Sequence, residues 1–219
     1  MKQCIQKLVK KIEPELIAIR RHLHQYPELS YEEYETARFI QEKLHSFGIP
    51  FKSGIAGTGI LGMIKGHHDG GVVALRADMD ALPVHEENDH DFVSKRENKM
   101  HACGHDAHMA MLLGAGKILQ GMRDELHGTV LLVFQPAEEK TPVGGARPML
   151  ETGVFDEIKP DVIYGQHVWA DLPVGQVGIR DGEIMGASDG FKITITGTGG
   201  HASMPHKTTD PIVTAAYLI

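Results

Sequence analysis

Apolar residues recur at three- and four-residue intervals at the start of the chain, and this spacing predicts a helix over residues 3–26. Pro14 lies inside that stretch and is expected to kink or split the helix. A second helix is predicted after Ser30 and Glu33, whose spacing is that of a capping box, and Gly48 is placed to end it. We expect this second helix to bury Tyr34, Ala37, Phe39, Ile40 and Leu44.

Shorter apolar runs further along the chain predict β-strands separated by helices. The predicted strands are 59–64, 72–77, 128–135 and 161–165. The last two are nearly continuous apolar runs, as expected of strands buried on both faces of a sheet. Helical stretches near 106–121 and 144–151 lie between the strands. The alternation predicts the α/β class, with a three-layer domain built around a largely parallel sheet.

The pattern changes near residue 187. Residues 191–196 alternate apolar and polar positions, which predicts a half-exposed strand, and Asp210 with Pro211 forms a helix start. We therefore predict a catalytic-type domain over 1–186 and the beginning of a smaller α+β domain over 187–219. The last helix has no C-terminal cap before Ile219, which favours a chain that is the N-terminal part of a longer protein.

Composition excludes several functional classes. The formal net charge is -7 and there is no block of basic residues, so nucleic-acid binding is not expected. No apolar run has the length of a membrane span, and the start of the chain lacks the apolar region of a signal peptide. Two distant cysteines do not form a disulfide framework, so we expect a cytoplasmic, reduced protein without a membrane partner.

The densest group of candidate metal ligands lies in the stretch 100–108. Its potential ligands are His101, Cys103, His105 and His108. Alternate positions suit an extended loop in which every second side chain points the same way, and Gly104 permits a tight bend. The apolar run 110–116 predicts a buried helix that begins near Asp106. The alternative is a loop with surface histidines and a core cysteine.

Other candidate ligands follow the predicted strands. Asp78 and Asp80 come after the strand 72–77, Glu138 and Glu139 after 128–135, and His167 after 161–165. Since strand ends converge in an α/β sheet, these side chains are expected in one crevice. Adjacent carboxylates can divide the work, one binding metal and the other acting as a general base. The alternatives are a polar strand end, a solvated acidic turn and a core histidine.

Thiolate, imidazole and carboxylate together suit zinc, cobalt, nickel or manganese better than calcium or magnesium. The sequence has neither a glycine-rich phosphate loop nor a nucleophile elbow.

Four motifs carry a family resemblance across the whole chain. They are RADMDALP at 76–83, MHACGHD at 100–106, QPAEE at 135–139 and GHASMPH at 200–206. With the opening RRHLHQYPELS at 20–30, they resemble the aminoacylase/carboxypeptidase family of dinuclear metallopeptidases. The most similar branch contains hippurate hydrolases, N-acetyl-diaminopimelate deacetylases and plant indole-acetate–amino-acid hydrolases.

The resemblance implies a catalytic domain that holds two divalent metal ions and a smaller lid domain that forms a homodimer. The implied metal ligands are Cys103, His105, Glu139 and His167. Glu138 matches the general base, Asp80 an aspartate that supports the metals, and His201 a lid histidine that reaches the substrate carbonyl. Asp78 stands where the wider family has a metal-binding histidine, so the resemblance does not assign it as a ligand. Family members are longer and carry a further histidine ligand near their C-terminus.

The function expected from these residues is a metal-dependent amidohydrolase that cleaves N-acyl amino acids or related small amides. Glu138 would take a proton from the attacking metal-bound water, and His201 would help the metal to stabilise the oxyanion. The alternatives are a non-catalytic metal-binding or oligomerisation module and a single-zinc structural domain. Because one family ligand is absent, a polypeptide of these 219 residues alone is expected to be poorly soluble or partly folded, to bind at most one metal tightly and to lack amidase activity.

Overall fold

The computed structural model describes residues 2–186 and 189–219. Its helices are α1 (Lys2–Gln25), α2 (Tyr34–Ser46), α3 (His105–Gly121), α4 (Ala146–Glu151) and α5 (Pro211–Leu218). Its strands are β1 (Phe51–Ile55), β2 (Gly59–Lys65), β3 (His68–Asp78), β4 (His127–Gln135) and β5 (Val162–Gly165). The chain forms two compact units, Met1–Ile184 and Met185–Ile219, which are described separately.

The strands of the first unit form one sheet in the order β1-β2-β4-β3-β5. β3 pairs in parallel with both β4 and β5, whereas β2 pairs antiparallel with β4 and with β1. β4 is central, as its continuous apolar run predicts. The α/β prediction is confirmed, and parallel pairing holds in the part of the sheet that carries the candidate ligands.

Helices cover both faces of this sheet. Alternate residues of β4 point to opposite sides: Leu132 and Phe134 join the core beneath α1, α2 and α3, while Leu131 and Val133 pack on the side of Met149 in α4. The first unit is therefore a three-layer sandwich. Within the part of the chain that the structure describes, no helix has the length and apolarity to cross a membrane.

The two N-terminal helices form as predicted, with three differences in detail. Pro14 lies within an unbroken α1. The predicted capping box is wrong, because Ser30 donates its hydroxyl hydrogen bond to Asp80 instead (2.7 Å). Glu28 takes over the capping role: its carboxylate accepts hydrogen bonds from the main-chain N–H groups that open α2. Tyr34 was expected in the core but is 67% exposed.

Three predictions about strands are also corrected. β1 was not predicted, and its half-exposed sequence FKSGI lacks a clear alternating pattern. The strand 161–165 was expected to be buried, yet Ile163 and Tyr164 of β5 are exposed by 51% and 60%. Residues 191–196 do not form the predicted strand; the described second unit has only an isolated bridge between Thr198 and Thr209. The predicted helix start at Asp210 is confirmed, and its carboxylate accepts from the N–H of Ile212 (2.9 Å).

Candidate metal centre

The candidate ligands meet at the carboxyl ends of the three parallel strands. Asp78 at the end of β3 is in register with Gln135 at the end of β4, and Arg76 is in register with Gly165 of β5. The loops that leave these strands therefore start side by side, next to the first turn of α3. This is the crevice in which open α/β sheets bind ligands.

The segment before α3 is a tight turn, and the predicted extended alternation of its side chains is wrong. The N–H of Gly104 donates to the carbonyl of His101 (3.2 Å), and Gly104 has a φ of 91°, which a residue with a side chain rarely adopts. His101 is buried, and neither of its ring nitrogens has a partner among the described residues. Burial lowers the pKa of His101 to about 4, so it is held neutral.

Cys103 and His167 come together across 64 residues of sequence. The sulfur of Cys103 lies 3.3 Å from Nε2 of His167. His167 donates from Nδ1 to the carbonyl of Val168 (2.6 Å), so Nε2 keeps its lone pair and faces the sulfur. A thiol and an imidazole nitrogen in this arrangement are a natural half of a transition-metal site.

His105 supplies the next donor atom. Its Nδ1 donates a hydrogen bond to the carbonyl of Asp80 (2.8 Å), which leaves the lone pair of Nε2 available to a metal ion. This Nε2 is buried without a hydrogen-bond partner, 3.6 Å from Oδ2 of Asp78 and 3.8 Å from Oε1 of Glu139. Oε1 of Glu139 is itself buried and unpartnered. Two such atoms facing each other require something between them, because an unmatched buried polar atom costs about 1–3 kcal/mol.

The loop that carries the adjacent carboxylates is held by two buried acids. Asp80 accepts a hydrogen bond from the N–H of Glu139 (2.9 Å). Glu33 accepts from the N–H of Ala137 (2.8 Å) and from the hydroxyl of Thr58 (2.7 Å). Ala137 has a φ of 52°, a strained value for a residue with a side chain, and Glu33 stabilises that conformation. Sequence reasoning assigned Glu33 only to a helix cap, and no local pattern reveals its contact 104 residues away.

Glu138 and Glu139 both reach His105, since one ligand atom from each of the three residues lies within 4.8 Å of the other two. They differ in exposure, because Oε1 of Glu139 is buried 3.8 Å from Nε2 of His105, whereas Glu138 is exposed. Burial and the neighbouring charge of Glu139 raise the pKa of Glu138, which makes it a stronger base. The two carboxylates thus differ in burial and in basicity, and the predicted division of roles between them stays a prediction.

The electrostatics of the site favour a cation. Burial and then the charge of Glu139 raise the pKa of Cys103 to about 12. Burial lowers the pKa of His105, but Asp80, Asp78 and Glu139 outweigh burial and leave that pKa raised. The site therefore attracts positive charge to Nε2 of His105 and opposes a further negative charge on the sulfur. Thiol, imidazole and carboxylate donors with this excess of negative charge fit divalent zinc-like ions.

Two candidate residues have other partners. Asp78 is paired with Arg76 (2.6 Å) and with Nδ1 of His108 (2.6 Å). His201 lies exposed in the second unit, where its Nδ1 accepts hydrogen bonds from the hydroxyl (2.8 Å) and the N–H (3.2 Å) of Ser203. The catalytic role of His201 stays a prediction.

A second group of histidines and acids, which we call the His24 network, comprises His24, Glu86, His90, Asp106 and Arg20. His24 lies between two carboxylates, with Nδ1 2.8 Å from Asp106 and Nε2 3.0 Å from Glu86. Arg20 also pairs with Asp106 (2.8 Å), and His90 approaches Glu86 at 3.3 Å. This network ties α1 to the start of α3 and to the loop before it.

Residues 74–217 match Peptidase family M20/M25/M40. The chain belongs to this family. It is 47% identical over 218 residues to an N-acyl-L-amino acid amidohydrolase from Geobacillus stearothermophilus, covering 100% of this chain and 58% of that protein. It is 48% identical over 205 residues to thermostable carboxypeptidase 1 from Saccharolobus solfataricus, covering 93% and 52%.

A solved structure agrees with this assignment. The Bacillus subtilis YXEP protein, described as a dinuclear metal binding peptidase of the M20 family, superposes with a TM-score of 0.74 at 44% identity. The match covers 79% of this chain and 48% of that one. The M20 chain described here thus spans about half the length of its curated relatives.

Proposed function

We propose that this M20 chain contributes the metal centre of a hydrolase that cleaves amide bonds of N-acyl amino acids or related small amides. The observation that carries the proposal is the pair of buried, unpartnered atoms, Nε2 of His105 and Oε1 of Glu139, beside the Cys103–His167 pair. Donor atoms left without protein partners at the end of a parallel sheet are what a metal-dependent hydrolase needs.

The named relatives support the substrate class. An N-acyl amino acid and a peptide cut by a carboxypeptidase share one feature, an amide whose nitrogen belongs to an amino acid with a free carboxylate. We include four further suggestions of the sequence in this proposal: specificity for hippurate, a homodimer, a lid role for the second unit and a cytoplasmic location. Zinc, manganese, nickel and cobalt all suit the donor set.

The residues of the chain divide the chemistry among them. Cys103, His105, Glu139 and His167 would hold two divalent ions, whose Lewis acidity would polarise the scissile carbonyl and activate water. Glu138 would accept the proton from the attacking water and deliver it to the leaving nitrogen, because its raised pKa and exposed position suit both steps. Asp80 would orient His105 and the loop of Glu139. We assign His201 the stabilisation of the oxyanion on the strength of the motif alone.

The test uses the chain itself and a chimera. Metal content is measured in the 219-residue chain after loading with zinc or manganese. Hydrolysis of N-acetyl amino acids is measured in a chimera in which residues 1–219 replace the matching part of the Geobacillus stearothermophilus relative. We expect metal binding in the first experiment and turnover in the second. A folded, metal-loaded chimera without turnover would instead support a non-catalytic metal-binding module.

A further inference from the structure

We propose that Asp78 and His108 act as a positioning relay that holds His167 at the metal centre, and that neither binds metal. This inference rests on the proposed function, because it concerns the orientation of a ligand of that same site. Asp78 stands where the wider family has a metal-binding histidine, so the family motif does not assign a role to this residue.

The first step of the argument is the tautomer of His108. The main-chain N–H of Val168 lies 2.9 Å from Nε2 of His108. An amide N–H can only donate, so Nε2 must be the acceptor and the proton of a neutral ring must be on Nδ1. Nδ1 in turn lies 2.6 Å from Oδ1 of Asp78, where a donor is required. Both ring nitrogens of His108 are therefore occupied by protein partners and have no lone pair left for a metal.

The second step is the charge on Asp78. Asp78 is buried, and its two oxygens accept hydrogen bonds from Nδ1 of His108 and from the guanidinium of Arg76, which both favour the carboxylate form. Arg76 donates to Oδ2 of Asp78 at 2.6 Å and also to Gln135 at 3.0 Å. Asp78 is thus a fixed carboxylate that already has a cation. Its Oδ2 is 3.6 Å from His105, but that oxygen makes its short bond to Arg76.

The third step is the position of Val168, which three contacts determine. Its N–H is held by His108, and its carbonyl accepts from Nδ1 of His167 at 2.6 Å. Its side chain packs so closely on Gly104 that a Cβ there would lie 2.3 Å from Cγ2 of Val168. The carbonyl of Val168 selects the tautomer of His167, which directs Nε2 of that ring to the sulfur of Cys103. Moving Val168 would therefore turn the ligand away.

The relay explains why two polar side chains are buried here, although burying them costs free energy. Asp78 and His108 are buried polar residues in a region where an apolar pair would pack without needing partners. His167, by contrast, is exposed and follows a strand whose outer residues are also exposed, so packing alone does not fix its ring. A hydrogen-bonded chain from β3 through α3 to Val168 supplies the missing constraint. Partners of this kind typically change metal affinity about 10–100-fold when removed.

The direct test is the ring nitrogen spectrum of His108 in the chain labelled with 15N-histidine. Without metal, we expect Nδ1 to carry the proton and Nε2 to appear as a hydrogen-bonded acceptor. On titration with zinc, the Nε2 signals of His105 and His167 should move to metal-bound positions, while His108 keeps its tautomer. An Nε2-protonated His108, or a zinc-dependent shift of either His108 nitrogen to a metal-bound position, would overturn the relay. This readout does not depend on catalysis, so loss of the proposed activity and failure of the relay can be told apart.

Two substitutions test the consequence for metal binding. His108→Phe keeps the ring volume but removes both hydrogen bonds, and we expect zinc affinity to fall about 10–100-fold with the fold retained. His108→Gln keeps one donor and one acceptor and should retain more of the affinity than His108→Phe. His85→Phe is the control, because His85 is exposed.

The cobalt-substituted chain supplies the spectroscopic comparison. The thiolate-to-cobalt band from Cys103 should persist in His108→Phe at saturating metal, since the sulfur is not part of the relay. Equal zinc affinities for wild type, His108→Phe and His108→Gln would contradict the proposal.

Discussion

The metal centre and the His24 network contain the same kinds of side chain, yet they differ in how the central histidine of each is partnered. In the His24 network, Nδ1 and Nε2 of His24 both have carboxylate partners, in Asp106 and Glu86, and the atoms left buried without a partner are Oδ1 of Asp106 and Nδ1 of His90. In the metal centre, Nε2 of His105 and Oε1 of Glu139 are buried without partners. Clustering of histidines and acids therefore does not by itself mark a binding site. The stronger sign is a histidine nitrogen without a partner that faces an unpartnered carboxylate oxygen, as Nε2 of His105 faces Oε1 of Glu139 at 3.8 Å.

The same distinction explains how each region contributes to the protein. Removing a partner of His24 leaves a buried charge without its counter-charge, so the cost appears in stability. Removing a side chain of the metal centre takes a ligand atom from a bound ion, so the cost appears in metal affinity and activity. The predictions below separate these two outcomes.

The largest effect is expected from removing the sulfur ligand. Cys103→Ala should abolish tight zinc binding by the chain, because the site loses its thiolate and His167 loses its neighbour at 3.3 Å. Metal content by inductively coupled plasma mass spectrometry is the measurement. Cys4→Ala is the matched control, since Cys4 is an exposed free cysteine in α1. Full metal occupancy in Cys103→Ala would show that the sulfur is not a ligand.

The next effect divides the roles of the adjacent carboxylates. In the chimera, Glu138→Gln should retain its metals and lose turnover by about a hundredfold or more, because a general base is removed while the donors remain. Glu139→Gln should lose metal instead, since its Oε1 faces Nε2 of His105 at 3.8 Å. Turnover and metal content measured on the same preparations decide between the roles, and the reverse pattern would exchange them.

The sequence indicated the candidate ligands, whose metal binding stays a prediction, and the supporting Asp80, but it did not indicate that Glu33 holds their loop. Cys103, His105, Glu139 and His167 lie in short motifs or directly after apolar strands, so spacing and motif resemblance find them. Their supports depend on contacts between distant segments. Glu33 reaches Ala137 across 104 residues, a pairing that no local pattern encodes.

The same reasoning explains which elements were predicted. Helices α1 to α3 and strand β4 have strong apolar periodicity or continuous apolar runs, and they form as expected. β1 has a half-exposed sequence without clear alternation, so its pairing with β2 had to come from the fold. Residues 191–196 alternate as a strand does but form none in the described second unit, because alternation becomes a strand only when a partner strand pairs with it.

A substitution in the His24 network is expected to lower the stability of the protein without changing its affinity for zinc. Glu86→Gln should lower the free energy of unfolding by about 2 kcal/mol, because a buried carboxylate that pairs with His24 is replaced by a neutral amide. Zinc affinity should be unchanged. Urea unfolding and zinc titration of the same variant give both quantities, and a large loss of zinc affinity would show that the two regions are not separate.

The difference in stability between wild type and Glu86→Gln should depend on pH, because the pKa of Glu86 is shifted. Burial would raise this pKa, but hydrogen bonds from Asn88, His24 and Ser94 outweigh burial and lower it from 4.5 to about 2. A carboxylate with a lowered folded-state pKa stabilises the protein above its unfolded pKa and loses that contribution as the pH falls. The stability gap between wild type and Glu86→Gln should therefore narrow as the pH drops from 4.5 towards 2. A gap that widens over this range would contradict the assigned ion pair.

The smallest effect is expected from removing the hydroxyl of Ser30, and removing that of Ser94, beside the His24 network, is the comparison. Ser30 donates its hydroxyl to Oδ2 of Asp80 (2.7 Å), the oxygen that also accepts from the N–H of Glu139. Ser94 supports Glu86 through its main-chain N–H (2.6 Å), a contact that a substitution of its side chain leaves in place. Ser30→Ala should cost about 1 kcal/mol of stability and weaken zinc binding measurably, because Asp80 loses a donor and holds the Glu139 loop less firmly. Ser94→Ala should leave zinc affinity as it is. Equal zinc affinities of the two variants in isothermal titration would show that the hydrogen bond from Ser30 to Asp80 does not affect the metal centre.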